Sequence, residues 1–546
     1  MKKYDVIVIG GGHAGAEAAA ASMRRGAHTA IITKSISDIG AMSCNPSIGG
    51  PGKSQMLAEI NALGGIMPLA ADQSGIHFRL LNASNGPASA ALRAQIDRAA
   101  YAVNIAKLLQ DIDIIIADVN SIYFDKKIVN EKYEFGALVI AGGTFLNGLT
   151  HCGGDKRESG RIMDNGAYQE CDRSLSPILH DLGFIILRLK TGTPARIKRD
   201  SIDFSKMEIQ HGDDDHGWFT GQNPGNNLPT QDCFITRTNS HTHDAIRENI
   251  KQAPMYNGDI SGTGPRYCPS IEDKVMRFPN HETHHIFIEP DAPGLCYPNG
   301  ISTSMPADVQ NTFIRTINGL ENAVIERYGY AIEYDAIDAR TLKSTLESKD
   351  VPGLFLAGQI CGTSGYEEAA AQGLVAGANA AAHALGMPTL ELDRTNSMIG
   401  VMISDITGIG IDEPYRMFPS RAEFRLRLRS DNAATRLGDM GVALGLISPD
   451  AHARNIELFR DAQPAAENIY KGYIARAMRE AASLKKDMQV KIPINMDFKS
   501  LPGLTNELAE KLSAHRPENL ESATRIPGMT PAGIMVLLYA IRKTTE

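Results

Sequence analysis

A glycine-rich segment close to the amino terminus has the spacing of a phosphate-binding loop. Its G-x-G-x-x-G pattern is formed by Gly10, Gly11, Gly12, His13, Ala14 and Gly15. In such a loop the first glycine permits a tight turn and the second lets the backbone approach a pyrophosphate. The third lets a helix and a strand pack closely. A helix that begins here directs free N–H groups at the phosphates. The spacing therefore predicts a nucleotide site.

The residues on either side of this loop predict the elements that would position it. Residues 4–9 are largely β-branched, as in a buried parallel strand, and residues 16–21 are strongly helix-forming. A second strand is predicted over residues 29–33. Dinucleotide sites usually have an acid at the end of this strand, where it binds a ribose hydroxyl. Thr33 and Lys34 stand there instead, so the ribose contact stays open.

A second, distant element favours FAD over NAD as the nucleotide. Residues 352–359 predict a strand ending in glycine, and residues 367–373 predict the start of a helix rich in small side chains. Flavoproteins with two dinucleotide-binding units close the FAD site with such a late strand and helix. Residues 138–144 predict another strand that ends near the FAD. We therefore expect a flavoprotein.

Composition limits the class of protein. The chain has 546 residues, of which 43% are hydrophobic and 22% charged, and a net charge of −8. The negative charge argues against bulk attraction for nucleic acid, so an RNA site would be a local basic patch. The seven scattered cysteines do not indicate a disulfide framework. Without a secretory signal or a long apolar run, we expect a cytoplasmic protein that does not span a membrane.

Five longer segments carry a resemblance to one family. They are residues 42–50, 189–194, 264–274, 365–373 and 413–423. Together, and in this order, they resemble the MnmG (GidA) family of tRNA uridine 5-carboxymethylaminomethyl modification enzymes, and the resemblance extends over nearly the whole chain.

Two stretches are short for this family, residues 109–135 and 446–473. The shortened helical segment leaves open the size of the C-terminal domain. It therefore also leaves open the details of contact with tRNA and with a partner protein.

The resemblance implies an α/β fold, in which a Rossmann-type FAD-binding domain carries an inserted α/β domain and is followed by a C-terminal all-α domain. We expect the FAD-binding domain to span residues 1–150, with a return segment at residues 341–395. Residues 151–340 would form the inserted domain that contacts substrate and NAD. Residues 396–546 would form the helical domain that contacts tRNA and a partner.

The function implied by the resemblance is modification of tRNA. Family members add an aminomethyl or carboxymethylaminomethyl group at C5 of the wobble uridine, together with the GTPase MnmE. The implied cofactors are FAD, NADH as the reductant of the flavin, and methylenetetrahydrofolate as the one-carbon donor. A homodimer is also implied. The sequence does not indicate which tRNAs are substrates, or whether glycine or ammonium is the donor.

Three alternative functions stay open. A folate- and FAD-dependent tRNA methyltransferase would share the fold, but such enzymes lack this long helical C-terminus. A fumarate-reductase-like oxidoreductase would need a set of Arg and His residues that binds a dicarboxylate, which we do not identify. The third alternative is a non-catalytic assembly partner that binds flavin or RNA.

Two cysteines, Cys44 and Cys268, occupy the positions of the family's important cysteines. A thiolate can add to C6 of a uracil and make C5 nucleophilic, provided that the thiol is partly ionised. Arg266 and Lys274 lie near Cys268 in sequence, and the loop around Cys44 could expose it beside the flavin. The alternative is a buried inert thiol. We assign that state to the remaining cysteines, whose spacing predicts no metal site: Cys152, Cys171, Cys233, Cys296 and Cys361.

The resemblance also assigns cofactor contacts outside the glycine loop. FAD contacts are expected at Val119, Ser176 and Gln359, although a plain core valine explains Val119 equally well. NAD contacts are expected in a segment that has no second glycine-rich loop to support them. They fall on Gly264, Pro265, Arg266, Tyr267 and Lys274.

Arginines interleaved with aromatic residues predict an RNA contact at Arg416, Arg421 and Arg425. Arginine binds phosphate, and aromatic rings stack on bases. Arg421 and Arg425 would share a face if this segment were helical. The alternative is an internal salt-bridge network with Glu413, Glu423 and Asp431.

Overall fold

The architecture is that of a computed structural model, which describes residues 1–267, 269–460, 462–488, 490–524, 526, 528–529 and 531–545. It consists of a mostly parallel sheet covered by helices, an inserted region built on antiparallel sheets, and a helical region at the carboxyl end. The predicted α/β fold with an inserted α/β region and C-terminal helices is therefore confirmed.

The strands are numbered along the chain. They are β1 (Lys2–Ile9), β2 (Thr29–Thr33), β3 (Ser47–Gly49), β4 (Gly75–Leu81), β5 (Ala91–Ile96), β6 (Asp113–Ile116), β7 (Ile122–Tyr123), β8 (Ile128–Val129), β9 (Tyr133–Ile140), β10 (Leu149–Cys152), β11 (Asp155–Glu158), β12 (Arg161–Ile162), β13 (Tyr168–Gln169), β14 (Ile186–Thr193), β15 (Arg196–Lys198), β16 (Glu208–Gln210), β17 (Cys233–Arg237), β18 (His285–Pro290), β19 (Leu295–Asn299), β20 (Ile325–Arg327), β21 (Tyr330–Ile337) and β22 (Leu354–Leu356).

The α-helices are numbered in the same way. They are α1 (His13–Arg24), α2 (Lys53–Ala62), α3 (Met67–Ser74), α4 (Arg98–Leu108), α5 (Leu175–Asp181), α6 (Ser240–Glu248), α7 (Ile271–Arg277), α8 (Ala307–Ile314), α9 (Tyr366–Leu385), α10 (Met398–Ser404), α11 (Ala433–Ala443), α12 (Pro449–Leu458), α13 (Ala462–Met488), α14 (Asn506–His515), α15 (Leu520–Thr524) and α16 (Pro531–Thr545).

The central sheet places five parallel strands side by side in the order β6, β2, β1, β9, β22. The antiparallel strands β8 and β7 extend it beyond β9. Val8 of β1 lies opposite Ile31 of β2 on one side and Val139 of β9 on the other. Such strands are buried on both faces, which explains why their sequences are runs of β-branched residues instead of alternating patterns. The carboxyl ends of these strands meet at one edge of the sheet.

Helices α1 and α9 pack against each other at very short range. A Cβ atom on Gly373 would lie 2.0 Å from the Ala14 carbonyl oxygen, and one on Gly377 would lie 2.0 Å from the Ala18 oxygen. Only glycine permits this approach of the two backbones. The contact joins the first helix of the chain to one that begins more than 350 residues later in the sequence.

The described part of the inserted region contains two larger antiparallel sheets, besides the two-stranded sheet β12-β13. One has the strand order β11-β10-β21-β14, and the other has the order β16-β17-β18-β19-β15-β20. The six-stranded sheet packs on helices α6, α7 and α8 around a core of its own, which includes Ile197, Ile288 and Phe313. A third, three-stranded sheet, β3-β5-β4, follows the loop that contains Cys44.

The carboxyl-terminal part is helical but does not form one core. Met398, Met417 and Leu437 are buried in the same hydrophobic cluster as the parallel sheet. A separate small core further on includes Phe498 and Leu537. The expected domain boundaries at residues 150, 340 and 395 stay predictions. Within the described part of the chain, no helix is both long enough and apolar enough to cross a membrane.

The close contact of α1 and α9 predicts a large effect of one methyl group. We expect Gly377→Ala to lower the free energy of unfolding by about 1–3 kcal/mol, because the new Cβ collides with backbone and not with a flexible side chain. Thermal unfolding followed by circular dichroism measures this as a lower Tm. The matched control is Gly472→Ala in α13, where a Cβ meets no atom within 4 Å. Equal Tm values for the two variants would contradict the packing.

Candidate functional site

The glycine loop connects β1 to α1 in a conformation that few other residues could adopt. Gly10 has φ +102°, and a Cβ there would lie 2.3 Å from the Ala141 carbonyl oxygen. A Cβ on Gly15 would lie 1.8 Å from the Gly10 oxygen. Gly12, in contrast, faces open space, because a Cβ there would meet no atom within 4 Å. The first and third glycines are therefore required by the fold, and the second leaves room for a ligand.

A cavity of about 220 Å³ begins at this loop. It lies at the carboxyl ends of the parallel strands, where open α/β sheets bind their ligands. Each of β1, β2, β9 and β22 contributes residues at or just after its end. The lining includes Ile9, Gly10, Gly11, Gly12, His13, Ala14, Thr33, Lys34, Ala141, Gly142, Ala357 and Gly358. The predicted loop residues Gly10 to Ala14 thus surround one cavity, and Gly15 supports the loop from behind.

The start of α9 also lines the cavity, as the glycine- and alanine-rich element in the sequence predicted. Gly365 caps this helix without a side-chain hydrogen bond, and Gly365, Tyr366 and Ala369 line the cavity. Helix α1 also begins without a side-chain cap, at Gly12. Two helix amino termini with partial positive charge therefore point at the same space, which favours an anionic or electron-rich ligand.

The acid missing from the end of β2 is supplied five residues later by Asp38. Its Oδ2 accepts hydrogen bonds from the Thr33 hydroxyl at 3.2 Å and from the Ser35 N–H at 2.9 Å. Its Oδ1 accepts from Arg161 Nη2 at 2.6 Å, and Asp38 lines the cavity. Sequence reasoning missed this residue because it examined only the strand end. The signal was the capping box that Ser35 and Asp38 form around one helical turn.

The three additional FAD contacts expected from the sequence have different positions. Val119 and Gln359 line the cavity. Ser176 is buried in the first turn of α5, next to Leu175, which lines the cavity, but Ser176 itself does not. Its hydroxyl oxygen is buried and has no hydrogen-bond partner among the described residues. The structure therefore brings two of the three residues into the lining.

His13 is the titratable residue of the glycine loop. Burial, followed by the positive charge of Lys53, lowers the pKa of His13 to about 3. Its ring is therefore neutral near pH 7. The ring lies 4.4 Å from that of Tyr366 between centroids, and Nδ1 is 3.3 Å from the Tyr101 hydroxyl. His13 thus links the two helix starts across the cavity through contacts with aromatic side chains.

A buried ion cluster lies just behind the start of α9. Lys53 Nζ is 2.7 Å from Glu367 Oε2 and 3.3 Å from Glu368 Oε2. Burial alone lowers the pKa of Lys53, but the two carboxylates outweigh it, and the net direction is upward. Lys53 therefore remains charged. Glu368 also accepts a hydrogen bond from the Met417 N–H at 2.9 Å, which attaches the arginine-rich segment to this helix.

Cys44 lines the cavity and is held by contacts from four separate parts of the chain. Its N–H donates to the Tyr366 hydroxyl oxygen at 2.7 Å, and its carbonyl accepts from Arg98 Nη2 at 2.6 Å. Its Sγ is 3.2 Å from the Tyr297 hydroxyl and 3.9 Å from the Gly192 oxygen. The predicted thiol therefore lies beside Tyr366, in the same cavity as the glycine loop.

The other candidate cysteine, Cys268, lies outside the described residues. The segment around it can be placed through its neighbours. The exposed Tyr267 packs on Phe418 with ring centroids 4.4 Å apart, and Lys274 in α7 donates to the Gly300 oxygen at 2.6 Å. None of the five residues expected to contact NAD lines the cavity: Gly264, Pro265, Arg266, Tyr267 and Lys274.

The arginine-rich segment is not an α-helix, so the condition under which Arg421 and Arg425 would share a helical face is not met. Pro419 begins a single 3-10 turn that ends at Arg421, and turns follow it. Arg421 lies over the Tyr415 ring at 4.3 Å, and Arg416 lies over the Phe418 ring at 5.6 Å. Pro419 stands at the first position of this turn, where proline is well tolerated.

The alternative of internal salt bridges holds for part of this segment. Arg429 is fully buried and pairs with Asp431 at 2.9 Å. Glu423 pairs instead with Arg394 at 2.7 Å. Arg425 is exposed. The segment is tied to the mouth of the cavity because the Tyr415 N–H donates to the Gly362 oxygen at 2.8 Å.

The remaining cysteines fit the inert state assigned to them. Burial raises the pKa of Cys152 and of Cys296 to about 11. Burial also raises the pKa of Cys171, Cys233 and Cys361. Among the described residues, no group of His, Cys, Asp and Glu side chains is arranged to hold a metal ion.

Comparison with known proteins agrees with this geometry. Residues 5–388 match the family model of glucose inhibited division protein A. Residues 480–546 match that of the tRNA modifying enzyme MnmG/GidA C-terminal helical bundle. The chain belongs to the MnmG/GidA family. It is 42% identical, over 601 aligned residues and the whole of both chains, to the tRNA uridine 5-carboxymethylaminomethyl modification enzyme MnmG of Thermus thermophilus.

Two crystal forms of Aquifex aeolicus GidA have the same fold as this MnmG/GidA family member. Each gives a TM-score of 0.86, at 40% identity for form I and 38% for form II. Each comparison covers 99% of this chain and at least 99% of the other. The predicted family, the fold and the enzyme class are thus confirmed. The family is flavin-dependent, in agreement with the flavin expected from the sequence.

Because the space at Gly12 is open, we expect a substitution there to weaken flavin binding without affecting folding. Gly12 has φ −69°, which any residue adopts, so Gly12→Ala should fold with an unchanged Tm. The methyl group would occupy the path of the pyrophosphate, and we expect flavin affinity to fall more than about tenfold. Absorbance of the purified protein at flavin wavelengths measures this, with Gly472→Ala as the control. A Gly12→Ala protein with full flavin content would refute the assignment.

Proposed function

We propose that this protein is an FAD-dependent enzyme that modifies C5 of the wobble uridine of tRNA. The observation that carries the proposal is the presence of Cys44 in the cavity that the glycine loop and the start of α9 enclose. A nucleotide-binding loop alone would fit many oxidoreductases. A thiol in the same cavity adds a nucleophile that uracil chemistry needs. The relative from Thermus thermophilus is named as a tRNA uridine modification enzyme.

The residues of the cavity suit FAD. The pyrophosphate would lie over Gly12 and the start of α1, where backbone N–H groups face open space. The adenosine would lie toward Thr33, Asp38 and Val119, with Asp38 offering a carboxylate for a ribose hydroxyl. The isoalloxazine would lie toward Tyr366 and Cys44. Bound FAD would provide the chemistry that transfers a one-carbon unit from methylenetetrahydrofolate to the uridine, and NADH would reduce the flavin.

The chain's own contribution is to activate the uracil. A thiolate, from Cys44 or Cys268, adds to C6 and forms an S–C6 bond, and the electron pair of the C5=C6 bond moves into an enolate. C5 is then nucleophilic and bonds to the incoming carbon, while a carbon–nitrogen bond of the one-carbon donor gives its electron pair to the nitrogen. Loss of the proton from C5 restores the double bond and expels the thiolate. Each step balances, and the cysteine is regenerated.

The tRNA would approach over the arginine-rich segment. Arg416 and Arg421 lie on aromatic rings, Arg425 is exposed, and hydrogen bonds at Tyr415 and Met417 hold the segment against the start of α9. The Tyr267–Phe418 contact places residues 264–267, where NAD contacts were expected, beside the same surface. A splayed base could therefore enter near Cys44 while these arginines bind phosphates.

The remaining features of the proposal come from the family. They are a GTPase partner of the MnmE type, a homodimer, and a cytoplasmic location. A C-terminal helical bundle with its own small core provides a surface for a partner. The shortened stretch before it, residues 446–473, would change the size of that surface but leaves the cavity intact.

The reaction class is tested by mass spectrometry of tRNA nucleosides from a strain that lacks the gene. We expect loss of the C5-modified wobble uridine, restored by the wild-type gene. Persistence of that nucleoside, with loss of a C5-methyluridine instead, would replace the proposal by the methyltransferase alternative. Unchanged nucleosides would favour the non-catalytic assembly partner.

The nucleophile is tested in the same strain with cysteine variants. We expect Cys44→Ser to fail to restore the modified nucleoside, because a serine hydroxyl is far less ionised than a thiol. Cys268→Ser should fail for the same reason. The control, Cys152→Ser, changes a half-buried thiol that does not line the cavity and should restore modification fully. Full restoration by Cys44→Ser would remove this residue from the mechanism.

The tRNA surface is tested with charge variants. Because Arg425 is exposed, we expect the Arg425→Ala protein to fold normally and to bind tRNA several-fold more weakly. The slope of log K against the logarithm of the salt concentration should become shallower by about one. Filter binding or fluorescence anisotropy at several salt concentrations measures both. The control is Lys3→Ala, which removes one charge near the start of β1, at the amino end of the sheet. If both variants lose equal affinity, the effect is one of net charge and the surface is wrongly assigned.

A further inference from the structure

A buried arginine of the inserted region lies close to Cys44. The Arg196 side chain is 1% exposed. Its Nε donates to Asp291 Oδ2 at 2.7 Å, and its Nη1 donates to the Thr193 hydroxyl at 2.9 Å and to the Pro194 oxygen at 2.7 Å. Its Nη2 is buried without a hydrogen-bond partner among the described residues. Such a donor is costly to bury, which suggests a role beyond packing.

Arg196 lies directly on the aromatic ring of Tyr297. The guanidinium carbon is 4.5 Å from the ring centroid, within the range of a cation–π contact. The two residues belong to neighbouring antiparallel strands, since β15 pairs with β19 through Ile197 and Cys296. Tyr297 is 2% exposed, so the sheet and the guanidinium leave its ring little freedom.

The Tyr297 hydroxyl completes a chain of contacts that reaches the cavity. It lies 3.2 Å from Cys44 Sγ, within hydrogen-bond distance for sulfur. The contact joins residues that are 253 positions apart in the sequence. Arg196 therefore contacts the ring of Tyr297, and the hydroxyl of Tyr297 contacts Cys44, whose thiol lines the cavity.

The charges around this chain have an excess of cations. Arg98 donates to the Cys44 carbonyl and forms an ion pair with Asp291, which Arg196 shares. The same arginines act on Asp164. Burial raises the pKa of this carboxyl, but the charges of Arg98, Arg327 and Arg196 outweigh burial, so the net shift of the pKa is downward. The contacts of Cys44 thus lie among the guanidinium groups of Arg98 and Arg196 and the carboxylate of Asp291.

We propose that Tyr297, held in place by Arg196, is a positioning residue that orients Cys44 Sγ and donates a hydrogen bond from its hydroxyl to the thiolate. This inference rests on the proposed function, in which Cys44 is a nucleophile. In the thiol form either atom donates to the other. When the thiol loses its proton to solvent, the tyrosine hydroxyl becomes the donor and keeps its own proton. Arg196 orients the ring and strengthens that donor, because its positive charge lies against the ring face.

The test uses the full chain with its flavin and measures the alkylation of Cys44 by iodoacetamide as a function of pH. Mass spectrometry of the peptide that contains Cys44 separates this thiol from the others. In the wild-type protein we expect Cys44 to react faster at pH 7 than Cys152, whose pKa burial raises to about 11. A Cys44 that reacts no faster than Cys152 would overturn the inference.

The decisive variant is Tyr297→Phe, which removes only the hydroxyl. We expect an unchanged flavin content and Tm, about tenfold slower alkylation at pH 7, and a pH profile moved upward by about one unit. A merely structural tyrosine would not move the pH profile. The matched control is Tyr328→Phe, which removes a hydroxyl that accepts from Asn311 Nδ2 at 2.7 Å in the same inserted region. A wild-type pH profile in Tyr297→Phe overturns the inference.

Arginine variants supply an independent measurement. Arg196→Lys keeps the positive charge but loses the planar guanidinium group. We expect its pH profile of Cys44 alkylation to lie between those of the wild type and Tyr297→Phe. If Arg196→Lys fails to fold, the Tyr297→Phe result alone decides. The alkylation test does not depend on tRNA. Slower alkylation of Tyr297→Phe beside a fully active Cys44→Ser would therefore keep the tyrosine–thiol contact and refute only the function proposed for it.

Discussion

The close contact between α1 and α9 is the constraint on which the rest of the molecule depends. Gly373 and Gly377 bring the two backbones to a distance at which no side chain fits between them. This approach holds β1 and β22 in one sheet, with β9 between them. It also fixes the two helix starts, at His13 and Tyr366, beside each other in the lining of one cavity. A longer side chain at either glycine would separate the helices and enlarge the cavity.

Buried ion pairs then attach the C-terminal segment to this frame. Glu59 in α2 is fully buried, accepts from the N–H groups of Met398 and Ile399 at the start of α10, and pairs with Arg436 at 2.9 Å. Buried charges of this kind add little net stability, because desolvation offsets their attraction. Removing one partner is costly, however, because the other charge is left buried. Such pairs therefore specify where the segment docks, and with it the position of Arg416 and Arg421.

Much of the cofactor site could be predicted from sequence because its chemistry is local. The spacing of Gly10, Gly12 and Gly15 follows from one turn between a strand and a helix, and the small residues of α9 follow from one helix face. Asp38 was missed because the acid stands on a turn after the strand and not at its end. Whether Arg421 and Arg425 share a helical face could not be decided from the sequence, and the segment forms a single 3-10 turn, Pro419–Arg421, followed by further turns.

The surroundings of Cys44 could not be predicted because they are assembled from distant parts of the chain. The loop of Cys44 precedes the three-stranded sheet, Arg98 begins α4, and Tyr297 and Arg196 stand on two strands of the inserted sheet. No spacing in the sequence links these residues, since each contact spans at least 54 positions. Only the tertiary fold decides which arginines face the thiol.

Under the proposed function, this arrangement would give the inserted region a role in the chemistry as well as in binding. The flavin-binding frame supplies the loop that carries the thiol, and the six-stranded sheet supplies the tyrosine and arginine that hold it. A shift of the inserted sheet relative to the frame would lengthen the contact between Tyr297 and Cys44 Sγ, now 3.2 Å, and would thereby change the reactivity of the thiol. Because Phe418 of the arginine-rich segment packs on Tyr267 of the inserted region, RNA bound there would contact both the segment and the inserted region.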